Sequence, residues 1–300
     1  MRGNIAEHDT HGAQTSGEPA RSPQPLWNQD VASAPTPDGR ANGPIAAPRH
    51  GYGTYRSIGL DLVLAFVGQL LLAFPLLGLA LALFVLTSHT LALEPGRRAF
   101  DAWLTTPQAT LAGLLATDGA MLLVLWLRLR RLRLGWSIVG LGAGLRTGAT
   151  RAVLVGLGVG VVALTLSAAL GTALQALGFD QSVQERTLIA PLKHAPFWEV
   201  LAVVVAGTLV APVVEEIFFR GYVFRAIAVR KDVRVAYLIS AMAFAAFHQL
   251  PTLIPVLFVV GLLFCLVYQR TGHVLASITA HAVNNGVAFV LALLPEALPV

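Results

Sequence analysis

Residues 211–224, which read APVVEEIFFRGYVF, place two adjacent carboxylates and an arginine inside an apolar run. The charged side chains belong to Glu215, Glu216 and Arg220. A charged side chain near the centre of a bilayer costs about 3 kcal/mol even on lenient insertion scales, so this stretch would make a poor lipid-facing helix. The three groups must face protein, water or one another. Ionisable groups inside an apolar membrane segment indicate a functional site.

The rest of the chain has the composition of a protein that crosses a membrane several times. Of its 300 residues, 55% are hydrophobic and 12% are charged, against about 25% charged in a soluble domain. The net charge is +5, but the sequence has no basic patch interleaved with aromatic residues. We therefore expect no nucleic-acid partner. The single cysteine, Cys265, excludes an intrachain disulfide and a cysteine-based metal site.

Apolar segments of roughly spanning length follow a polar N-terminal region. A helix needs about 20 apolar residues to cross the hydrocarbon core. The segments are 62–86, 109–127, 152–177, 197–219, 235–247, 253–268 and 274–294. We therefore predict an all-α fold, a polytopic transmembrane helical bundle of about seven spans. The fifth and sixth segments are short, and form either two spans or a broken pair that meets in a polar cavity.

Three parts of the chain are expected to differ in organisation. Residues 1–55 lack apolar periodicity and predict a disordered cytoplasmic tail. Residues 56–196 would form N-terminal transmembrane helices, and residues 197–300 a catalytic transmembrane core. The connection 128–151 holds six arginines and no acidic residue, so it should be cytoplasmic, which also places the N-terminus there. Arginine far outnumbers lysine, and we expect a multi-pass protein of a bacterial plasma membrane.

The two adjacent carboxylates are expected to lie in different environments. Glu216 and Arg220 are at i and i+4 with the acid first, the order that favours an ion pair on a helix. Glu215 points about 100° away from Glu216 and has no local partner. One carboxylate would then be held by arginine, while the other could accept and return a proton.

Two later segments carry further polar groups. Residues 244–248 read FAAFH and residues 281–285 read HAVNN. His281 and Asn285 share one face of a helix because they are four residues apart. Together with His248 and a carboxylate, these groups could add water to a carbonyl, using a base and donors to an oxyanion. The residues alone leave two alternatives open: a structural ion-pair network and a proton or ion relay.

In this order and on successive apolar segments, EEIFFR, FAAFH and HAVNN resemble the motifs of the CPBP family. These are the CAAX-protease and bacteriocin-processing intramembrane endopeptidases, also called Abi proteins. The resemblance covers roughly residues 197–294. It implies hydrolysis of a peptide bond in a membrane-associated or lipidated peptide or protein, either prenylated or a small bacteriocin-like peptide. A non-catalytic immunity or scaffold protein of the same fold and an ion-coupled transporter are the alternatives.

The resemblance also implies roles for individual residues. Glu215 would activate water with the help of His248, and His281 and Asn285 would stabilise the oxyanion. Glu216 and Arg220 would not contact the substrate but would hold these groups in position. The family is usually described as metalloproteases, so Glu215, His248 and His281 would be the ligands of a divalent metal such as zinc. Activation of water without a metal is equally open, because Glu215 cannot easily serve as both ligand and base.

Overall fold

The computed structural model describes residues 54–88, 103, 105–141, 148–183, 185–230 and 232–294. The predicted disordered tail at residues 1–55 lies outside these ranges except for its last two residues. Within the described ranges, the chain folds into helices and their connections, and contains no strand.

Seven long helices in the described residues coincide with the seven predicted apolar segments. They are α1 (Tyr55–Ser88), α2 (Pro107–Leu132), α3 (Ala149–Ala176), α4 (Phe197–Ala228), α5 (Val233–Phe247), α6 (Ile254–Thr271) and α7 (Val274–Leu293). Helices α2, α3, α4, α6 and α7 are long and apolar enough to cross a membrane, and α5 is a shorter apolar helix. The chain is therefore an all-α, multi-pass membrane protein, as the sequence predicted.

Local chemistry explains several of the helix ends. The Thr106 side chain accepts a hydrogen bond from the Ala109 N–H, and Pro107 occupies the first turn of α2, where no amide hydrogen is needed. Asp232 caps α5 by accepting from the Arg234 N–H at 2.9 Å. Helix α6 ends at Gly272, which has a φ of 70° and lets the chain turn directly into α7.

The bundle is apolar outside and partly polar inside. Leu154 and Leu291 expose 63% and 59% of their surface, as expected for side chains that face lipid. In contrast, Glu216, Arg220 and Ser240 are fully buried. Because hydrocarbon cannot satisfy polar groups, this distribution is the one that a membrane imposes.

Helices α3 and α7 pack closely through glycines. A Cβ on Gly156 would lie 2.6 Å from the Ala276 carbonyl oxygen, and one on Gly160 would lie 2.7 Å from the Ala280 oxygen. Two glycines four residues apart give this close approach, the small-xxx-small pattern of membrane helices. The contact holds α7, the helix that carries His281, closely against α3.

The arginine-rich connections lie at one end of the bundle. The Arg225 Nη1 donates to the Ile138 carbonyl at 2.9 Å, which ties the end of α4 to the connection between α2 and α3. Arg128, counted with this connection on sequence grounds, instead lies within α2. It donates to both carboxylate oxygens of Asp61, from Nε at 2.6 Å and from Nη2 at 2.5 Å. The Tyr222 hydroxyl also donates to Asp61, so one buried carboxylate joins α1, α2 and α4.

Candidate active site

The structure brings the four predicted catalytic residues into one cavity. Glu215, His248, His281 and Asn285 all line a space of about 710 Å³ that is bounded by residues of α2 to α7. The connection 249–253 between α5 and α6 also lines it, as do residues of the connection between α3 and α4. The cavity therefore lies toward the end of the bundle opposite the arginine-rich end.

Helix α4 departs from regular α-helix on both sides of the two carboxylates. Ala206–Val210 and Ile217–Phe224 form π-helical turns, which are frequent at functional sites. In the first, the Ala211 N–H bonds to the Ala206 oxygen five residues earlier. The same register would pair the Gly207 oxygen with residue 212, a proline that has no N–H. Asn285 supplies the missing donor, because its Nδ2 lies 3.0 Å from the Gly207 oxygen.

Glu215 and His248 face each other as two hydrogen-bond acceptors. The His248 Nδ1 lies 2.8 Å from the Phe244 carbonyl oxygen, which can only accept, so Nδ1 carries the hydrogen. In the neutral ring this leaves Nε2 as an acceptor. Nε2 lies 4.0 Å from Oε2 of Glu215, too far for a direct hydrogen bond, and Oε2 has no partner. A water molecule that donates to both atoms would satisfy this arrangement.

Glu216 turns away from Glu215 and joins two other helices. Its Oε1 accepts from Arg220 at 2.9 Å, the predicted i,i+4 ion pair, and from His281 Nδ1 at 3.1 Å. Arg220 also donates to the Gly261 carbonyl on α6 at 2.9 Å. A buried ion pair needs such additional hydrogen bonds to offset the desolvation of its charges. The two carboxylates thus lie in the two environments that the sequence predicted.

Aromatic rings enclose this ion pair. The Arg220 guanidinium carbon lies 4.6 Å from the centre of the Phe244 ring and 5.4 Å from that of Phe264. The imidazole of His281 stacks on Phe264, with 4.9 Å between the ring centres. Because Nδ1 of His281 is directed at Glu216, Nε2 is the ring nitrogen left for the cavity. Packing and hydrogen bonding therefore fix the orientation of His281.

Asn285 is also held at both ends of its amide group. Its Oδ1 accepts from Asn284 Nδ2 at 3.1 Å, and its Nδ2 donates to the Gly207 carbonyl. A carboxamide nitrogen carries two hydrogens, so one remains for a ligand in the cavity. Asn285 is thus positioned to donate a hydrogen bond rather than to accept one.

The predicted metal ligands fit a metal only in part. His248 and His281 each use Nδ1 to bond a carbonyl or carboxylate oxygen, which is the usual arrangement around metal-bound histidine. However, no group of three or more His, Cys, Asp or Glu side chains in the described ranges is arranged to hold a metal ion. Glu215, His248 and His281 therefore share a cavity without forming a three-ligand cluster.

Three further polar residues of the cavity have a buried side-chain oxygen without a hydrogen-bond partner and were not assigned a role from the sequence. They are Asp118 on α2, Gln181 in the connection between α3 and α4, and Asn284 on α7. Asp118 did carry a signal, since it is the only acidic residue in the apolar segment 109–127. Asn284 lies beside a predicted site residue, whereas Gln181 reaches the cavity through tertiary packing that local sequence does not indicate.

One family model matches the segment of the chain that contains the four predicted catalytic residues. Residues 196–287 match the model of a family described as Rce1-like, type II CAAX prenyl endopeptidase. The match confirms, for this segment, the resemblance to the CPBP and CAAX protease family, which is a family of proteases. No curated protein and no solved structure matches the chain.

Proposed function

We propose that this multi-pass membrane protein, with its Rce1-like domain at residues 196–287, is an intramembrane endopeptidase. It would hydrolyse a peptide bond in a membrane-associated or lipidated peptide or protein. The observation that carries the proposal is the facing pair of Glu215 Oε2 and His248 Nε2, 4.0 Å apart in one cavity. Both atoms are acceptors, and a water between them would be oriented and polarised for attack.

In the proposed reaction, Glu215 removes a proton from this water as its oxygen attacks the carbonyl carbon of the substrate. His248 accepts the second hydrogen of the water in a hydrogen bond, which directs the attacking lone pair. Glu215 then returns its proton to the nitrogen of the departing amine. The peptide C–N bond breaks, leaving a carboxylic acid and an amine, so the atoms and protons balance.

Negative charge develops on the substrate oxygen during this attack. The free N–H of Asn285 is a suitable donor to that oxygen, as is Nε2 of a protonated His281. Glu216 would stabilise the positive imidazole of His281, and Arg220 would hold the Glu216 side chain in place. Such fixed donors are typically the largest contribution to acyl-transfer catalysis. If a metal is bound, Glu215, His248 and His281 are its candidate ligands, and it would polarise the same carbonyl.

The proposal is tested by reconstituting the full chain in lipid vesicles and measuring cleavage of quenched fluorescent peptides. A peptide ending in a farnesylated cysteine and an unlipidated apolar peptide library would be used side by side. We expect Glu215→Gln and His248→Ala each to lower kcat by at least about 100-fold, as for loss of a general base or of its partner. Metal content measured on the same wild-type sample tests whether a metal takes part.

A variant of matched chemistry controls for non-specific effects. Glu199 lies at the start of α4, and Glu199→Gln should cleave like the wild type, because Glu199 does not line the cavity. Cleavage that is equal in wild type and Glu215→Gln would overturn the protease assignment. A non-catalytic scaffold would give no cleavage in either protein.

A further inference from the structure

The buried side-chain atoms of the cavity lining that lack a hydrogen-bond partner are all acceptors in the part of the chain that the structure describes. Four lining side chains have an oxygen without a partner: Oδ2 of Asp118, Oε1 of Gln181, Oε2 of Glu215 and Oδ1 of Asn284. None of the described lining residues is a lysine or an arginine. Because a buried acceptor without a donor is costly, the molecule that fills this cavity should bring donors.

Asp118 is the member of this set that the proposed reaction does not use. It lies on α2, which supplies no residue for water activation, and only 4% of its surface is exposed. It lines the same cavity as Glu215. The charged form of a buried carboxylate needs a positively charged partner, and a cation of the substrate that enters the cavity would supply one.

We propose that Asp118 makes the cavity selective for substrates with a lysine or arginine side chain beside the scissile bond. This rests on the proposed function, because it specifies which peptides that site would cleave. A guanidinium carries five donors and an ammonium three, so either could reach several of the separated acceptors at once. The four oxygens come from α2, α4, α7 and the connection before α4, a spread that suits a side-chain cation better than a metal ion.

The test compares matched peptides and needs no variant in its first stage. An apolar quenched peptide is made with lysine, norleucine or glutamate at each position around the cleaved bond, and kcat/KM is measured in vesicles. At one position we expect the lysine peptide to exceed the norleucine peptide about 10-fold, the effect of one good hydrogen bond to a charged group. The glutamate peptide should be the poorest. Equal values for lysine and norleucine at every position would overturn the proposal.

The second stage asks whether Asp118 causes the preference. In Asp118→Asn, the ratio of lysine to norleucine kcat/KM should fall to about 1–3, mainly through a higher KM for the lysine peptide. Gln69→Leu is the matched control, since Gln69 is also buried with unpaired polar atoms but does not line the cavity. That variant should keep the wild-type ratio. An unchanged ratio in Asp118→Asn would overturn the proposal.

Folding of each variant is checked by gel filtration and thermal unfolding in detergent. If Asp118→Asn does not fold, Asp118→Ser is the second substitution, and the wild-type comparison still decides whether a preference exists. A different result would show that the protease assignment is wrong. In that case, Glu215→Gln would not reduce the cleavage of any peptide. The two proposals can therefore fail separately.

Discussion

His281 and Glu216 are joined across 65 residues of sequence by a 3.1 Å hydrogen bond from Nδ1 to Oε1. The same oxygen accepts from Arg220, and the side chains of Glu216 and Arg220 are fully buried. The carboxylate thus fixes the imidazole and would balance the positive charge that His281 must already carry if its Nε2 is to donate to an oxyanion. This relationship makes Glu216 a positioning residue for a group on a different helix.

Replacing Glu216 with glutamine should therefore damage catalysis more than substrate binding. The amide can still accept a hydrogen bond, but it has no negative charge to stabilise a protonated His281. We expect kcat to fall about 10–100-fold, the usual effect of removing a carboxylate behind a functional histidine, with KM nearly unchanged. Steady-state kinetics in vesicles would measure kcat and KM separately. Glu199→Gln on the same helix is the control. A wild-type kcat in Glu216→Gln would contradict the assigned role.

Some of the contacts around Glu216 could be predicted from the sequence and others could not. The Glu216–Arg220 pair was predictable because both residues lie on one helix, four positions apart. The seven helices were predictable for a similar reason, since apolar length is a local property of each segment. The bonds from His281 to Glu216 and from Asn285 to the Gly207 oxygen were not, because they depend on how α4 and α7 pack.

The sequence assigned Arg128 to a loop, whereas the structure places it in a helix. A count of positive charges treats it as part of a loop that marks the cytoplasmic side. In the structure its charge is paired inside the bundle with Asp61, which lies 67 residues earlier. Asp118 is similar, because its isolation in an apolar segment was visible in the sequence but its place in the cavity with Glu215 required the fold.

The Asp61–Arg128 pair should contribute to stability rather than to catalysis. Asp61→Asn removes the carboxylate that accepts both Arg128 bonds and the Tyr222 hydroxyl bond, leaving a partly buried cation unpaired. We expect the free energy of unfolding to fall by about 3–5 kcal/mol, measured by denaturant titration in detergent micelles.

An exposed aspartate provides the comparison for that substitution. Asp232→Asn keeps a side-chain acceptor for the Arg234 N–H, and asparagine caps helices about as well as aspartate, so stability should change little. Cleavage per folded molecule should stay at the wild-type level in Asp61→Asn. An unfolding free energy equal to that of Asp232→Asn would show that the buried pair contributes nothing.

Two glycines on α3 offer a direct test of the packing against α7. A Cβ at Gly160 would lie 2.6 Å from the Val283 Cβ and 2.7 Å from the Ala280 oxygen, whereas one at Gly158 would meet nothing within 4 Å. Gly160→Ala should force the helices apart and destabilise the protein by about 1–3 kcal/mol. Gly158→Ala should be neutral or slightly stabilising, because alanine favours the helix. Thermal unfolding of the two variants in detergent would contradict this account if their midpoints were equal.

The side of the membrane on which the cavity lies can be read with single cysteines. The arginine-rich end should face the cytoplasm, so the opposite end, with the cavity, should face outward. His194 is exposed in the connection between α3 and α4 near the cavity end, and Ser137 is exposed at the arginine-rich end. The native Cys265 is fully buried and should stay unreactive, so wild-type protein serves as the blank. A membrane-impermeant maleimide on intact cells should label His194→Cys but label Ser137→Cys only after permeabilisation. The reverse pattern would place the cavity on the cytoplasmic side, and the N-terminus outside.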